Sequence, residues 1–212
     1  ISYTVALSRD NTFTNPIFPL GGSQFVLSAR FSLPYSLWNG IDYGNLENLE
    51  EYQDENGNPD QAKIDQERFK WLEFYKIKFQ GTWYTRLIEK LVLRTHTEFG
   101  FLGAYNNERG VIPFDRFYLG GDGMSQYAMD GRETISLRGY PNQSLSSQEG
   151  STIYNRFSLE LRYPITLKPA ASIFGLAFLE AGQGYNDFRE FNPFNSKRSL
   201  GLGLRIFMPA FG

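Results

Sequence analysis

The tripeptide Arg138-Gly139-Tyr140, preceded by Leu137, lies in the longest stretch of the chain without a strand pattern, residues 104–151. A guanidinium presents its donors in a fixed fork that matches carboxylates, and a glycine beside it permits a tight bend. Such a tip is suited to folding back into a polar interior. Two acids qualify as its partners. Glu160 stands in Ser158-Leu159-Glu160-Leu161, and Glu180 in Phe178-Leu179-Glu180-Ala181-Gly182, where it is the one charge on an otherwise apolar segment. A buried carboxylate there is costly unless paired. We expect Arg138 to pair with Glu160, with Glu180, or with both.

Other chemistries find little support. The chain has no cysteine and one histidine, His96, so no zinc-type ligand set can be assembled and a hydrogen-bonding role for His96 is expected. Gly120-Gly121 is followed by no Lys-Ser/Thr pair, which excludes a phosphate loop. The serines lack a G-x-S-x-G setting, so no catalytic residue, metal or cofactor is expected. Asp54, Asn56, Asn58, Asp60 and Asp65 have calcium-loop spacing, but Pro59 stands where the turn glycine belongs and Asp65 where a bidentate Glu would be. Residues 42–67 hold nine carboxylates against the single Lys63 and read as a solvated loop. With Lys+Arg at 21 and Asp+Glu at 23, the net charge of -2 carries no footprint for nucleic acid.

The elements that would position these residues repeat with period two. Residues 1–9, 23–33, 72–85, 90–103, 152–163 and 199–208 each set apolar side chains on one face against polar or small ones on the other. Residues 171–184 are apolar on both faces except for Glu180, so their facing stays open. The longest nearly apolar run, 170–179, is half of the ~20 residues a spanning helix needs, which removes transmembrane helices but not a barrel. Alternation alone fits a soluble ligand-binding β-sandwich as well as a membrane barrel. Connector lengths favour the barrel: long and short connections nearly alternate, and Trp and Tyr gather near strand ends. The expected fold class is all-β, a transmembrane antiparallel barrel represented by about seven strands. Closed bacterial barrels need an even number of at least eight, so 1–212 is expected to be one partial barrel domain, with long extracellular loops at about 34–71, 104–151 and 185–198.

Phe114-Asp115-Arg116-Phe117-Tyr118-Leu119-Gly120-Gly121, followed by Ser136-Leu137-Arg138-Gly139-Tyr140, resembles the F-x-x-F-x-x-G-G and [VI]-R-G-[FY] signature of the outer-membrane barrel-assembly family that contains BamA. Residues 122–135 then read as an insertion, and Leu137 replaces a β-branched residue. Pro19-Leu20-Gly21-Gly22 is similar to the family's periplasmic turn, residues 178–185 to its F-x-[DE]-x-G strand, and residues 199–209 to its G-x-G-[IL] strand. The resemblance implies strands eight to fourteen of a sixteen-stranded barrel in the bacterial outer membrane, with Glu160 and Glu180 as the acids that receive the arginine of loop six. It also implies a non-enzymatic subunit that folds and inserts β-barrel precursors, with membrane lipid, unfolded precursors and accessory subunits as partners. TamA-like factors and two-partner secretion translocators share these features, and counting upstream POTRA domains would separate them.

Overall fold

The computed structural model describes residues 1–12, 15–122 and 132–209. Most of the proposed insertion (123–131) and two residues of the first turn (13 and 14) lie outside the described residues. Seven strands form one antiparallel sheet: β1 (Ser2–Asp10), β2 (Gly22–Ser32), β3 (Tyr75–Ile88), β4 (Leu91–Gly103), β7 (Ile153–Lys168), β8 (Ala171–Tyr185) and β9 (Lys197–Phe207), neighbours in that order. The sheet is open, with β1 and β9 at its edges. Two short strands inside the long loop, β5 (Phe117–Leu119) and β6 (Glu133–Ile135), pair in parallel.

The two faces of the sheet are inverted relative to a water-soluble protein. On the interior strand β7, Leu159, Leu161, Tyr163, Ile165 and Leu167 are exposed, while Ser158, Glu160 and Arg162, alternating with them, are buried. β3 repeats this with Tyr75, Ile77 and Trp83 exposed and Lys76 and Thr82 buried. On β9, Leu202 is 86% exposed. The polar face is buried because the loops fold onto it, and it is called the inner face below.

β8 resolves the facing that its sequence left open. Ser172, Phe174, Leu176 and Glu180 are buried and point inward. Phe174 and Leu176 are apolar there because the β1–β2 connection packs on them, with Phe18 as the centre of a cluster that includes Ile17, Leu20 and Val92. The Phe18 and Phe174 rings meet edge to face at 5.2 Å.

Several boundaries differ from the sequence expectation, β3 being shifted to Tyr75–Ile88 from the expected 72–85. β7 does not stop before Pro164 but runs on to Lys168, leaving only Pro169 and Ala170 between it and β8. Pro164 is accommodated at a register shift, where one extra residue relieves the ladder of a donor that proline lacks. Nor are residues 42–67 only a solvated loop. They run into the helix α1 (Gln61–Phe69), whose Ile64 is buried with Tyr43 and Leu46 in a small core of their own.

Candidate functional site

The long loop enters the inner face as a zipped pair of arms. The first arm contains Phe117, Leu119, Gly120 and Gly121; the second contains Ile135, Leu137 and Tyr140. Gly120 N–H donates to the Ile135 carbonyl at 3.0 Å and Gly121 N–H to the Tyr140 carbonyl at 3.0 Å. Phe117, Leu119 and Leu137 are fully buried, and Phe117 lies against the ring of Tyr154 with centroids 4.6 Å apart. Phe114, at the start of the motif, is exposed. Gly121 has φ of +104°, and a Cβ there would stand 2.1 Å from the Asn142 Oδ1, so only glycine allows the arms to close this tightly.

Arg138 leaves the second arm at its tip. Its Nη2 donates to Glu160 Oε1 and Glu180 Oε1, both at 2.7 Å, while its backbone N–H donates to Glu180 Oε2 at 2.9 Å. Its guanidinium lies 3.9 Å from the centroid of Phe178. Phe178 can lie flat because Gly201 of β9 faces it; a Cβ at that glycine would come within 2.7 Å of the ring. Gly139 turns the chain at φ of +86°, and the Tyr140 hydroxyl donates to the Arg198 carbonyl at 2.8 Å. The tip thus spans from β7 across β8 to β9. Burial alone would lower the Arg138 pKa, but Glu180 and then Glu160 outweigh it and raise it above its ordinary value, so the group stays cationic.

The two glutamates sit in a wider inner-face network. Glu160 also receives Arg162 through Nε at 2.7 Å, Arg205 at 3.4 Å and Arg94 at 3.8 Å. Glu180 shares Arg156, at 3.1 Å, with Glu98 at 3.4 Å. Glu98 further accepts from Gln80 at 2.6 Å and Tyr154 at 3.0 Å, and His96 Nδ1 is 2.8 Å from the Thr82 hydroxyl. Arg and Glu alternate along these strands, so nearly every charge taken from water has an opposite neighbour.

Sequence reasoning missed a second clamp of reversed polarity. Lys76 and Lys78 on β3 both reach the loop acid Glu133, Lys76 at 2.6 Å, and Lys76 also donates to the Asp115 carbonyl at 2.7 Å. Here the wall is basic and the loop acidic. The alternation on β3 marks the lysines as inward, yet nothing local selects Glu133 among the loop acids. A third contact was also unforeseen: Arg109, 2% exposed, binds Glu73 at 3.1 Å and the Arg68 carbonyl at 2.6 Å, joining the loop before β3 to the loop after β4.

Burial tends to raise the Glu133 pKa, but Lys76 and Lys78 override it and hold the carboxyl below its ordinary 4.5. The folded pKa being depressed, this clamp contributes fully above that ordinary value and is lost as pH falls through the folded one. Hydrogen exchange at Phe117–Leu119 is therefore expected to accelerate once pH has dropped below that ordinary value and passes through the depressed one, after correction for intrinsic rates. Glu133→Gln should start faster and lose much of that pH dependence; identical profiles would remove the clamp from the account.

In the acidic loop the candidate calcium ligands serve other ends. Asp54 accepts from the Asn56 and Asn58 N–H groups, and Asp60 caps α1 by accepting from the Ala62 and Lys63 N–H groups. Among the described residues no group of three or more His, Cys, Asp or Glu is placed to hold a metal.

Comparison with known proteins adds one finding. The family model described as the Omp85 superfamily domain matches residues 2–212. No curated protein gives a significant match.

Proposed function

The chain belongs to the Omp85 superfamily, whose members insert or translocate proteins at outer membranes, and on that premise we propose that it is part of the barrel of a BamA-like assembly subunit. In this reading the intact protein folds and inserts β-barrel precursors and makes or breaks no covalent bond. Residues 1–212 are strands eight to fourteen of a sixteen-stranded barrel in a bacterial outer membrane. The loops at about 34–71, 104–151 and 185–198 are extracellular, and the inner face lines the lumen. Lipid, unfolded precursors and accessory subunits are the partners.

The observation that carries the proposal is the seating of Arg138 on two buried strand glutamates, inside a sheet whose outer face is apolar and exposed. A soluble sandwich would stack those apolar faces into a dry core. A plain porin has no use for a guanidinium tip that fills its lumen. Leu137, Gly139, Tyr140, Gly120 and Gly121 act in this account by holding Arg138 at depth, with Glu160 and Glu180 as its receivers. The brace keeps the lumen wall in register while an edge elsewhere in the full barrel accepts an incoming strand.

The full-length protein, reconstituted into bilayers, is expected to accelerate folding of a urea-unfolded β-barrel protein several-fold over empty vesicles. No acceleration, together with passage of an unfolded soluble protein across the same vesicles, would overturn the assembly reading in favour of a two-partner secretion translocator.

A further inference from the structure

The connection between β8 and β9 does not extend away from the sheet. It folds back over the outer face. Asn155 points outward from β7, between Ile153 and Phe157, yet it is fully buried. Its amide donates to the Ser196 hydroxyl at 3.0 Å, and the Tyr185 hydroxyl donates to the Asn192 carbonyl at 2.5 Å. Phe191 packs on Tyr185 and on the outward Phe101, with ring centroids at 5.4 and 5.9 Å. Phe188 closes on Phe101 at 6.3 Å. The flap is thus tied down by polar bonds beneath and aromatic contacts at its flank.

Its own outer side is not polar. Phe188 is 69% exposed and Phe194 is 85% exposed, and the segment also exposes Arg189 and Arg198 beside the acids Asp187 and Glu190. Exposed phenylalanines of this size are unfavourable in water, and the height of the flap indicates what covers them. On β7 the outward apolar series runs from Phe157 to Leu167. Ten residues at about 3.4 Å each, tilted by about 40°, rise roughly 25 Å, the height of a lipid-facing band. Asn155 and the flap begin just above its upper end, where aromatic rings and basic side chains meet the headgroups.

We propose that residues 186–198 form a lipid-seated collar on the long-loop side of the barrel. Phe188 and Phe194 insert at the headgroup–acyl boundary, with Arg189 and the outward Arg198 level with the lipid phosphates. The inference rests on the barrel reading and extends it by naming a surface outside the lumen and its ligand, the outer-leaflet lipid.

Spin labels test both levels separately. Nitroxides placed one at a time at positions 161, 194 and 55 of the full-length protein, in a cysteine-free background, are compared in bilayers for oxygen and nickel-chelate accessibility. Position 161 is the band reference and 55 the water reference. The expected result is an oxygen-to-nickel ratio at 194 several-fold above that at 55 and below that at 161. A ratio at 194 equal to that at 55, with 161 in lipid, overturns the collar alone. If 161 also matches 55, the barrel reading falls and the collar with it. Because the label could itself seek lipid, the unlabelled protein is also photolysed with a phospholipid carrying a diazirine at the top of its acyl chain. Adducts on Phe188 or Phe194 support the collar, and adducts confined to the β-strands overturn it.

Discussion

Arg138→Ala is expected to destabilise the full-length barrel by about 3 kcal/mol, the lower end of what breaking a buried ion pair costs. The lower end applies because neither carboxylate is left alone: Glu160 keeps Arg94, Arg162 and Arg205, and Glu180 keeps Arg156. What disappears is the bridge itself, since one Nη2 satisfies both acids and the guanidinium rests on Phe178. Arg138→Lys should recover only part of the loss. An ammonium is a point charge that can reach one acid but cannot stack as a plane. Urea unfolding in bilayers reads the stability, and hydrogen exchange at Gly120 and Gly121, whose N–H groups zip the two arms, reads the seating of the tip. Both amides should exchange at least tenfold faster in the alanine variant. Wild-type stability with unchanged exchange would show that Arg138 braces nothing.

That this arginine could be singled out from sequence, and Lys76 could not, has a physical reason. Arg138 is flanked by a glycine and an aromatic residue in a loop too long to be a plain connector, and Glu180 is a lone charge on an apolar strand, so each raises the same question of a partner. Lys76 and Lys78 raise no such question. They look like the solvated half of an alternating strand, and their partner Glu133 lies more than fifty positions away among other loop acids. Period two reports which residues share a face but not which face is wet. That required the loops, which bury Glu160 and Arg162 while leaving Leu161 and Tyr163 exposed. It left β8 undecided, where Phe174 and Leu176 face inward because the first turn brings Phe18 against them. Local rules also misjudged Pro164, read as a strand end but taken up in a bulge, and α1, whose acidic composition hides the burial of Ile64.

Glu160→Ala should be the most damaging single substitution on the inner face, and clearly worse than Glu180→Ala. Four guanidiniums converge on Glu160: Arg138, Arg162, Arg205 and Arg94. Without the carboxylate they repel one another, and Arg162, only 5% exposed, has no other acid to turn to among the described residues. An uncompensated buried charge costs about 3–5 kcal/mol, and the crowding places this variant at the upper end. Glu180 receives two, Arg138 and Arg156, and each has a second acid, Glu160 or Glu98. Its removal should cost about half as much. The same argument predicts a rescue. Arg162→Met combined with Glu160→Gln removes the most buried of these four cations together with the anion it faces, and replacing both partners of a buried pair with neutral groups is often close to neutral. The double variant is expected to regain more than half of what Glu160→Ala loses in urea unfolding of the full-length protein. Should Glu180→Ala prove as costly as Glu160→Ala, or the double variant fare worse than Glu160→Ala, the inner face would be held by something other than this convergence of charge.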